Sequence, residues 1–163
     1  MNRLRDFMAK AAASCFYLSY LPGLIYKRSS RYTGAGLIGS LFGLFTAWIL
    51  PHEPIRLVAV LIAAVGVAVP ISGYAETLLG RHDDPRIVID EWVGMWFTLA
   101  FIPLTRGALL VGLILFRLFD TLKAPWVRRV AELPGGWGIV MDDVVAGLMA
   151  NLVFRVILYI HPL

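Results

Sequence analysis

Cysteine is almost missing from this chain. The single thiol, Cys15, excludes an intrachain disulfide and a cysteine-rich zinc site, and it is read as a small packing residue. With three scattered histidines beside it, a soft-metal site of any kind is not expected. Charge is scarce as well. Charged residues make up 16% and apolar ones 59%, whereas soluble domains carry about a quarter charged residues and about half apolar ones. That balance excludes an ordinary soluble globule and points to a membrane. The 163 residues suffice for one domain and not for two. Alternation of period two is nowhere long enough for a barrel strand, so any membrane segment is helical. Internal repeats and low-complexity stretches are missing too. The N-terminus begins basic and turns apolar but has no small-x-small cleavage site, so it is expected to be retained.

What the chain has is a series of apolar stretches: Ala11–Tyr26, Leu37–Leu50, Leu57–Tyr74, Trp92–Leu104, Ala108–Leu122 and Val144–Ile160. A full crossing takes about 20 apolar residues, so several of these are short, tilted or sheltered by neighbours. The expected fold is all-α: a compact polytopic bundle with short and re-entrant helices. The formal net charge of +4 is not a nucleic-acid signature here. The basic residues cluster between apolar runs, as they do in cytoplasmic loops. Arg3, Arg5 and Lys10 precede the first stretch, and Lys27, Arg28 and Arg31 follow it. With both ends basic, that stretch is expected to lie in the interface or re-enter rather than cross. The loops holding Arg81 and Arg86, and Lys123, Arg128 and Arg129, fall on the same side. The opposite loops hold Arg56 and Arg106.

The acids gather on that basic side. Asp84 with Asp90-Glu91, then Asp120, then Asp142-Asp143 each stand at the same end of an apolar stretch. An aspartate at the centre of a membrane helix costs about 2.5–3.5 kcal/mol, and less near the ends. So many together call for a cation, and Mg²⁺ suits hard oxygen ligands and a phosphate in its shell. Arg117, Asp120 and Lys123 are three apart and share one helix flank, where an arginine can fork onto a phosphate. Glycines crowd the acids at Gly94, Gly135-Gly136, Gly138 and Gly147, allowing close helix approach. The run Thr33–Ser40 opens an apolar helix whose free N–H groups suit an anion.

Three motifs in order then carry a resemblance: Ile87–Gly94 around Asp90-Glu91, Phe116–Lys123 around Asp120, and Gly135–Gly147 around Asp142-Asp143. Together they resemble the phosphatidylglycerophosphatase A family, with matching order and approximate spacing from Gly39 to Gly147. The resemblance implies a bacterial, Mg²⁺-dependent enzyme of the inner membrane. Such an enzyme dephosphorylates phosphatidylglycerophosphate to phosphatidylglycerol with its active site on the cytoplasmic side. It implies Asp90, Glu91, Asp120, Asp142 and Asp143 as metal and catalytic residues, with Arg117, Lys123, Gly39 and Ser40 on the substrate. The family's first motif ends Pro-Gly-Thr-x-Gly-Ser, whereas this chain reads Ala35-Gly36-Leu37-Ile38-Gly39-Ser40. The family's Lys-Pro is here Lys123-Ala124-Pro125. These departures leave room for another phosphorylated lipid as substrate. Residues 1–36 are the divergent, interfacial part of a single domain spanning 1–163.

Plainer roles stand beside these. Asp84 before Pro85 has the form of a helix N-cap, and one of Asp142 and Asp143 is a candidate cap for the last helix. Arg117 with Asp120 fits a structural ion pair. Glu76, His82 and Asp83 read as solvated loop residues, and the five tryptophans as interfacial or packing residues. Asn151 and Arg155 read as an interhelical hydrogen bonder and a snorkelling residue. A phosphatidyl transferase is disfavoured because no Asp-Gly-x-x-Ala-Arg run occurs. A cation transporter would need polar residues through the full bilayer depth. An inactive scaffold is the remaining alternative.

Overall fold

The structure is a computed structural model that describes residues 2–25, 34–82, 84–122 and 125–161. Among them are eight α-helices and no strand: α1 (Arg3–Ala13), α2 (Leu21–Ile25), α3 (Ala35–Thr46), α4 (Pro54–Leu79), α5 (Ile89–Leu99), α6 (Arg106–Leu122), α7 (Pro125–Ala131) and α8 (Gly136–Ile160). The all-α expectation holds. Two of these helices, α4 and α8, are long and apolar enough to cross a bilayer. At 1.5 Å per residue, their 26 and 25 residues span about 39 and 37 Å against a hydrocarbon core of about 30 Å. By contrast α5, with 11 residues, spans about 16 Å, roughly half the core.

Glycine decides how closely the long and short helices approach. A Cβ on Gly39 would lie 2.5 Å from the Val88 carbonyl oxygen, and one on Gly43 2.6 Å from that of Trp92. The stripe Gly36, Gly39, Gly43 therefore lets α3 rest directly on the backbone of α5. A Cβ on Gly94 would come within 2.8 Å of the Asp143 carbonyl, and one on Gly147 would overlap the Gly94 carbonyl. That pair seats α8 on α5. Close small-residue contacts suit helices that gain no hydrophobic drive from lipid.

Three boundaries differ from the sequence reading. The apolar stretch Ala11–Tyr26 is not one helix. α1 ends at Ala13, and Cys15, Phe16 and Tyr17 follow with φ of 48°, 59° and 64°. Next, α8 starts at Gly136, so Asp142 and Asp143 lie inside it and neither caps it. Gly136 can begin that helix because its hydrogen-only side fits against the Val69 carbonyl of α4, where a Cβ would overlap. Finally, Asp84 is no N-cap. Its Oδ1 accepts the Arg86 N–H at 3.0 Å, and its carbonyl accepts the Ile87 N–H at 2.9 Å, forming a turn around Pro85. The helix starts later, with Val88 at its N-cap position and no side-chain cap.

Several polar groups in the apolar body are hydrogen-bonded across helices. The Trp92 and Trp96 indoles both donate to Thr46 Oγ1, at 2.8 and 3.0 Å, while that hydroxyl donates to the Phe42 carbonyl. Trp48 and Trp137 are exposed, as interfacial tryptophans would be. At the far end of α5, Asn151 Nδ2 donates to the carbonyls of Thr98 and Ala100 at 2.9 and 2.8 Å. Arg155 donates to Asn151 Oδ1 and to the Ala100 carbonyl, so it is docked on α5 rather than only snorkelling. Glu76 is not a loop residue but sits in the last turn of α4, paired with the exposed ring of His82. Asp83 lies outside the described residues.

Candidate active site

The start of α3, the end of α4, the start of α5, the end of α6 and the start of α8 meet at one end of the bundle. The acids converge there. Asp90 and Glu91 stand in the first turn of α5, where the helix dipole favours negative charge. Asp143 comes from the second turn of α8, held against α5 by the Gly94 contact. Each of the three offers an oxygen within 4.8 Å of the other two. Asp90 and Asp143 are buried and Glu91 is half-buried. Glu91 Oε2 is itself buried and has no hydrogen-bond partner among the described residues. Such an atom is expensive to bury unless a group other than a side chain satisfies it. An all-oxygen donor set with a buried orphan carboxylate oxygen fits a hard divalent cation such as Mg²⁺.

Beside the three carboxylates lies a cation. Arg117 Nη1 pairs with Asp120 Oδ2 at 2.8 Å and donates to Ser40 Oγ at 3.3 Å. Ser40 in turn donates to the Gly36 carbonyl at 2.9 Å. The guanidinium is thus fixed by α6 and α3 together. Gly36 faces the same space: a Cβ there would overlap Glu91 Oε1 and lie 3.0 Å from Arg117 Nη1. The arrangement sets a carboxylate triad and an arginine side by side, separated from α3 by a glycine. It can hold a divalent cation on one side and a phosphate oxygen on the other.

The predicted residues divide accordingly. Asp90, Glu91 and Asp143 come together. Asp120 supplies no oxygen to that set and instead orients Arg117. Asp142 is buried but also outside it, since consecutive helix residues point about 100° apart. Ser40 touches Arg117, whereas Gly39 lies in the α3–α5 contact. Lys123 lies outside the described residues. Gly36 was not singled out from sequence, although the spacing Gly36, Gly39, Gly43 was there to mark a packed helix face.

Clustered carboxylates beside an arginine, at one end of a helical bundle with membrane-length helices, give an all-α membrane protein a site that could hold a cation and an anionic group together. More narrowly, the chain belongs to the phosphatidylglycerophosphatase A family, whose model matches residues 11–158. A phosphatidylglycerophosphatase A of Escherichia coli is 32% identical over 120 residues, covering 71% of this chain and 69% of the relative. One from Haemophilus influenzae is 43% identical over 83 residues, half of this chain and 51% of the relative. A Bacteroides thetaiotaomicron protein provisionally named as a phosphatidylinositol-3-phosphatase is 27% identical over 150 residues, 85% of this chain and 94% of its own. No solved structure matches.

Proposed function

We propose that the chain hydrolyses the phosphate monoester of phosphatidylglycerophosphate, releasing phosphatidylglycerol and inorganic phosphate. The reaction would take place at the cytoplasmic face of a bacterial inner membrane. The observation that carries this reading is the convergence of Asp90, Glu91 and Asp143 beside the Asp120-fixed Arg117. The names of the Escherichia coli and Haemophilus influenzae relatives support the substrate. Basic residues flanking this end of the bundle support the cytoplasmic side.

Asp90, Glu91 and Asp143 would hold Mg²⁺. When bound, the ion supplies charge neutralisation at the phosphate and a more acidic water. Arg117 binds equatorial phosphate oxygens and stabilises charge that grows in the transition state. Asp120 and Ser40 keep its guanidinium in place, so little reorganisation is needed on binding. Gly36 leaves room for the phosphate between Arg117 and Glu91. Displacement is in line, with the lipid alcohol leaving opposite the attacking oxygen.

A second reading, hydrolysis of another phosphorylated lipid, is supported by the altered first motif and by the name of the Bacteroides relative. Phosphate release from a panel of lipid phosphates in detergent, with Mg²⁺ or EDTA, separates the two. Phosphatidylglycerophosphate is expected to be the best substrate, with turnover abolished by EDTA and by Asp143→Asn. Turnover of none of the lipids by the folded protein would leave the scaffold reading.

A further inference from the structure

The N-terminal helix keeps an apolar edge outside the packed body. Leu4, Phe7, Met8 and Ala11 recur at i, i+3, i+4 and i+7, one side of a helix. Three of them stay exposed: Leu4 by 69%, Phe7 by 55% and Met8 by 59%. A different side of α1 rests on α4. There the Tyr74 hydroxyl donates to Asp6 Oδ1 at 2.6 Å, Arg5 lies 4.4 Å over the Tyr74 ring, and Ala13 packs in a cluster with Ala68 and Ala75. By helical spacing, Arg3 and Lys10 fall along one margin of the apolar edge and Arg5 along the other. Asp6, the one acid of α1, is already engaged by Tyr74.

The turn after α1 adds one more exposed aromatic residue, Phe16, which lies beside Phe42 of α3. Cys15, Phe16 and Tyr17 take left-handed conformations that L residues disfavour. Ser14 Oγ donates to the Lys10 carbonyl at 2.6 Å and accepts the Tyr17 N–H at 2.9 Å, while the Phe16 N–H donates to the Ala11 carbonyl at 2.7 Å. The outcome of this held geometry is that Cys15 is fully buried and Phe16 is 69% exposed.

We infer that α1 and this turn lie in the plane of the membrane surface as a docking face for an anionic phospholipid leaflet. Leu4, Phe7, Met8 and Phe16 enter the acyl boundary, and Arg3, Arg5 and Lys10 contact lipid phosphates. Two features select a lipid surface as the occupant. Three cations border the apolar edge, which is complementary to anionic head groups. Tyr74, to which α1 is tied, stands five residues before the end of a membrane-length helix, the depth where tyrosines gather at an interface. The docking also reaches the acids. The Val88 N–H donates to the Ala13 carbonyl at 2.8 Å, and Ser19 Oγ donates to the Arg86 carbonyl at 2.7 Å. Seating α1 on the leaflet therefore holds the start of α5, with Asp90 two residues past Val88, at head-group depth. The inference rests on membrane residence and is independent of the phosphatase chemistry.

Nitroxide labels at Leu4→Cys and Met8→Cys of the full chain in vesicles test it. Cys15 does not compete for label, because burial, with the Glu91 charge nearby, pushes its thiol up to about 12. In phosphatidylcholine vesicles containing phosphatidylserine, both labels should be open to oxygen and shielded from a water-soluble nickel chelate. A label at the exposed Glu132→Cys should show the reverse. Shielding at positions 4 and 8 should grow with the phosphatidylserine fraction. Arg3→Gln with Lys10→Gln should weaken seating by about fivefold per cation and reduce that dependence to the share Arg5 still supplies. Labels at 4 and 8 as open to the chelate as the one at 132 would overturn the docking face. Shielding indifferent to phosphatidylserine would overturn the choice of an anionic leaflet. Neither readout uses turnover, so an inactive preparation would count against the phosphatase reading alone.

Discussion

Gly36→Ala places a methyl group in overlap with Glu91 Oε1 and 3.0 Å from Arg117 Nη1. Gly36 is the second residue of α3, and alanine is the better helix former, so local propensity favours the variant by about 1 kcal/mol. The cost falls on the site alone. Glu91 has to retreat by about 1 Å to restore van der Waals contact, and misplacement on that scale costs about 10²-fold in rate. The retreat breaks the spacing that lets Asp90, Glu91 and Asp143 offer oxygens to one centre. Phosphate release from phosphatidylglycerophosphate in detergent should therefore fall by about two orders of magnitude, with thermal unfolding unchanged or slightly raised. Gly66→Ala is the control: it lies on the exposed side of α4 with nothing within 4 Å of the new methyl. It should leave turnover intact. A Gly36→Ala protein with turnover near that of the parent would show that the position of Glu91 does not limit the reaction. The triad as drawn would then be wrong.

Three further outcomes follow from the polar contacts. Thr46→Val removes the acceptor shared by the Trp92 and Trp96 indoles. It should lower stability by about 2 kcal/mol in detergent unfolding followed by tryptophan fluorescence, with Thr46→Ser restoring most of it. Asn151→Leu strips donors from the Thr98 and Ala100 carbonyls and should cost about 1 kcal/mol in the same assay, leaving the KM for lipid unchanged. Asp84 gives a pH signature. Burial pushes its carboxyl up, but hydrogen bonds and charge from Arg86 outweigh that and hold it below the usual carboxylate range. A depressed folded value contributes stability above the unfolded value of about 3.9, lost as pH falls through the folded one. Asp84→Asn should thus lower the melting temperature at pH 7, and the gap from the parent should close below about pH 4.

The helices were legible where an apolar run had a clean end. Leu57–Tyr74 and Ala108–Leu122 lie within α4 and α6, with α4 reaching beyond its stretch at both ends and α6 at its start. α1 was hidden because its signal is a spacing, with Arg3, Arg5 and Lys10 interleaved among the apolar residues, whereas the eye follows continuous runs. The start of α8 was hidden for another reason. Gly135-Gly136-Trp137-Gly138 reads as a loop by propensity, and only the contact of Gly136 with the Val69 carbonyl makes glycine the right residue for a helix start. In the site, composition pointed to the acids but not to their division of labour. Asp142 and Asp143 are equivalent in sequence, and the rotation of α8 against α5 decides which one meets Glu91. Asp120 carries the same charge as the triad members, yet its place three residues from Arg117 made the ion pair readable from spacing.

The two polar clusters of this bundle are consequences of one short helix. Asp90 and Glu91 reach their depth because α5 begins where they stand, with the start of a helix offering free N–H groups and a positive dipole to carboxylates. With its start at head-group level, as inferred above, a helix of only 11 residues would end inside the apolar slab. Its last carbonyls would then be cut off from water and need donors from within the bundle. Asn151 and Arg155 meet that demand from α8, the same helix that delivers Asp143 to the other end. The eight residues between Asp143 and Asn151 cover about 12 Å, close to the rise of α5 from Glu91 to Leu99. A single rigid contact between α5 and α8, pinned by Gly94 and Gly147, thus sets the register of both clusters at once. A bulky residue at Gly147 would separate Asp143 from Glu91 and Asn151 from Ala100 together. Polar residues far from the acids are thereby tied to the acids' own register.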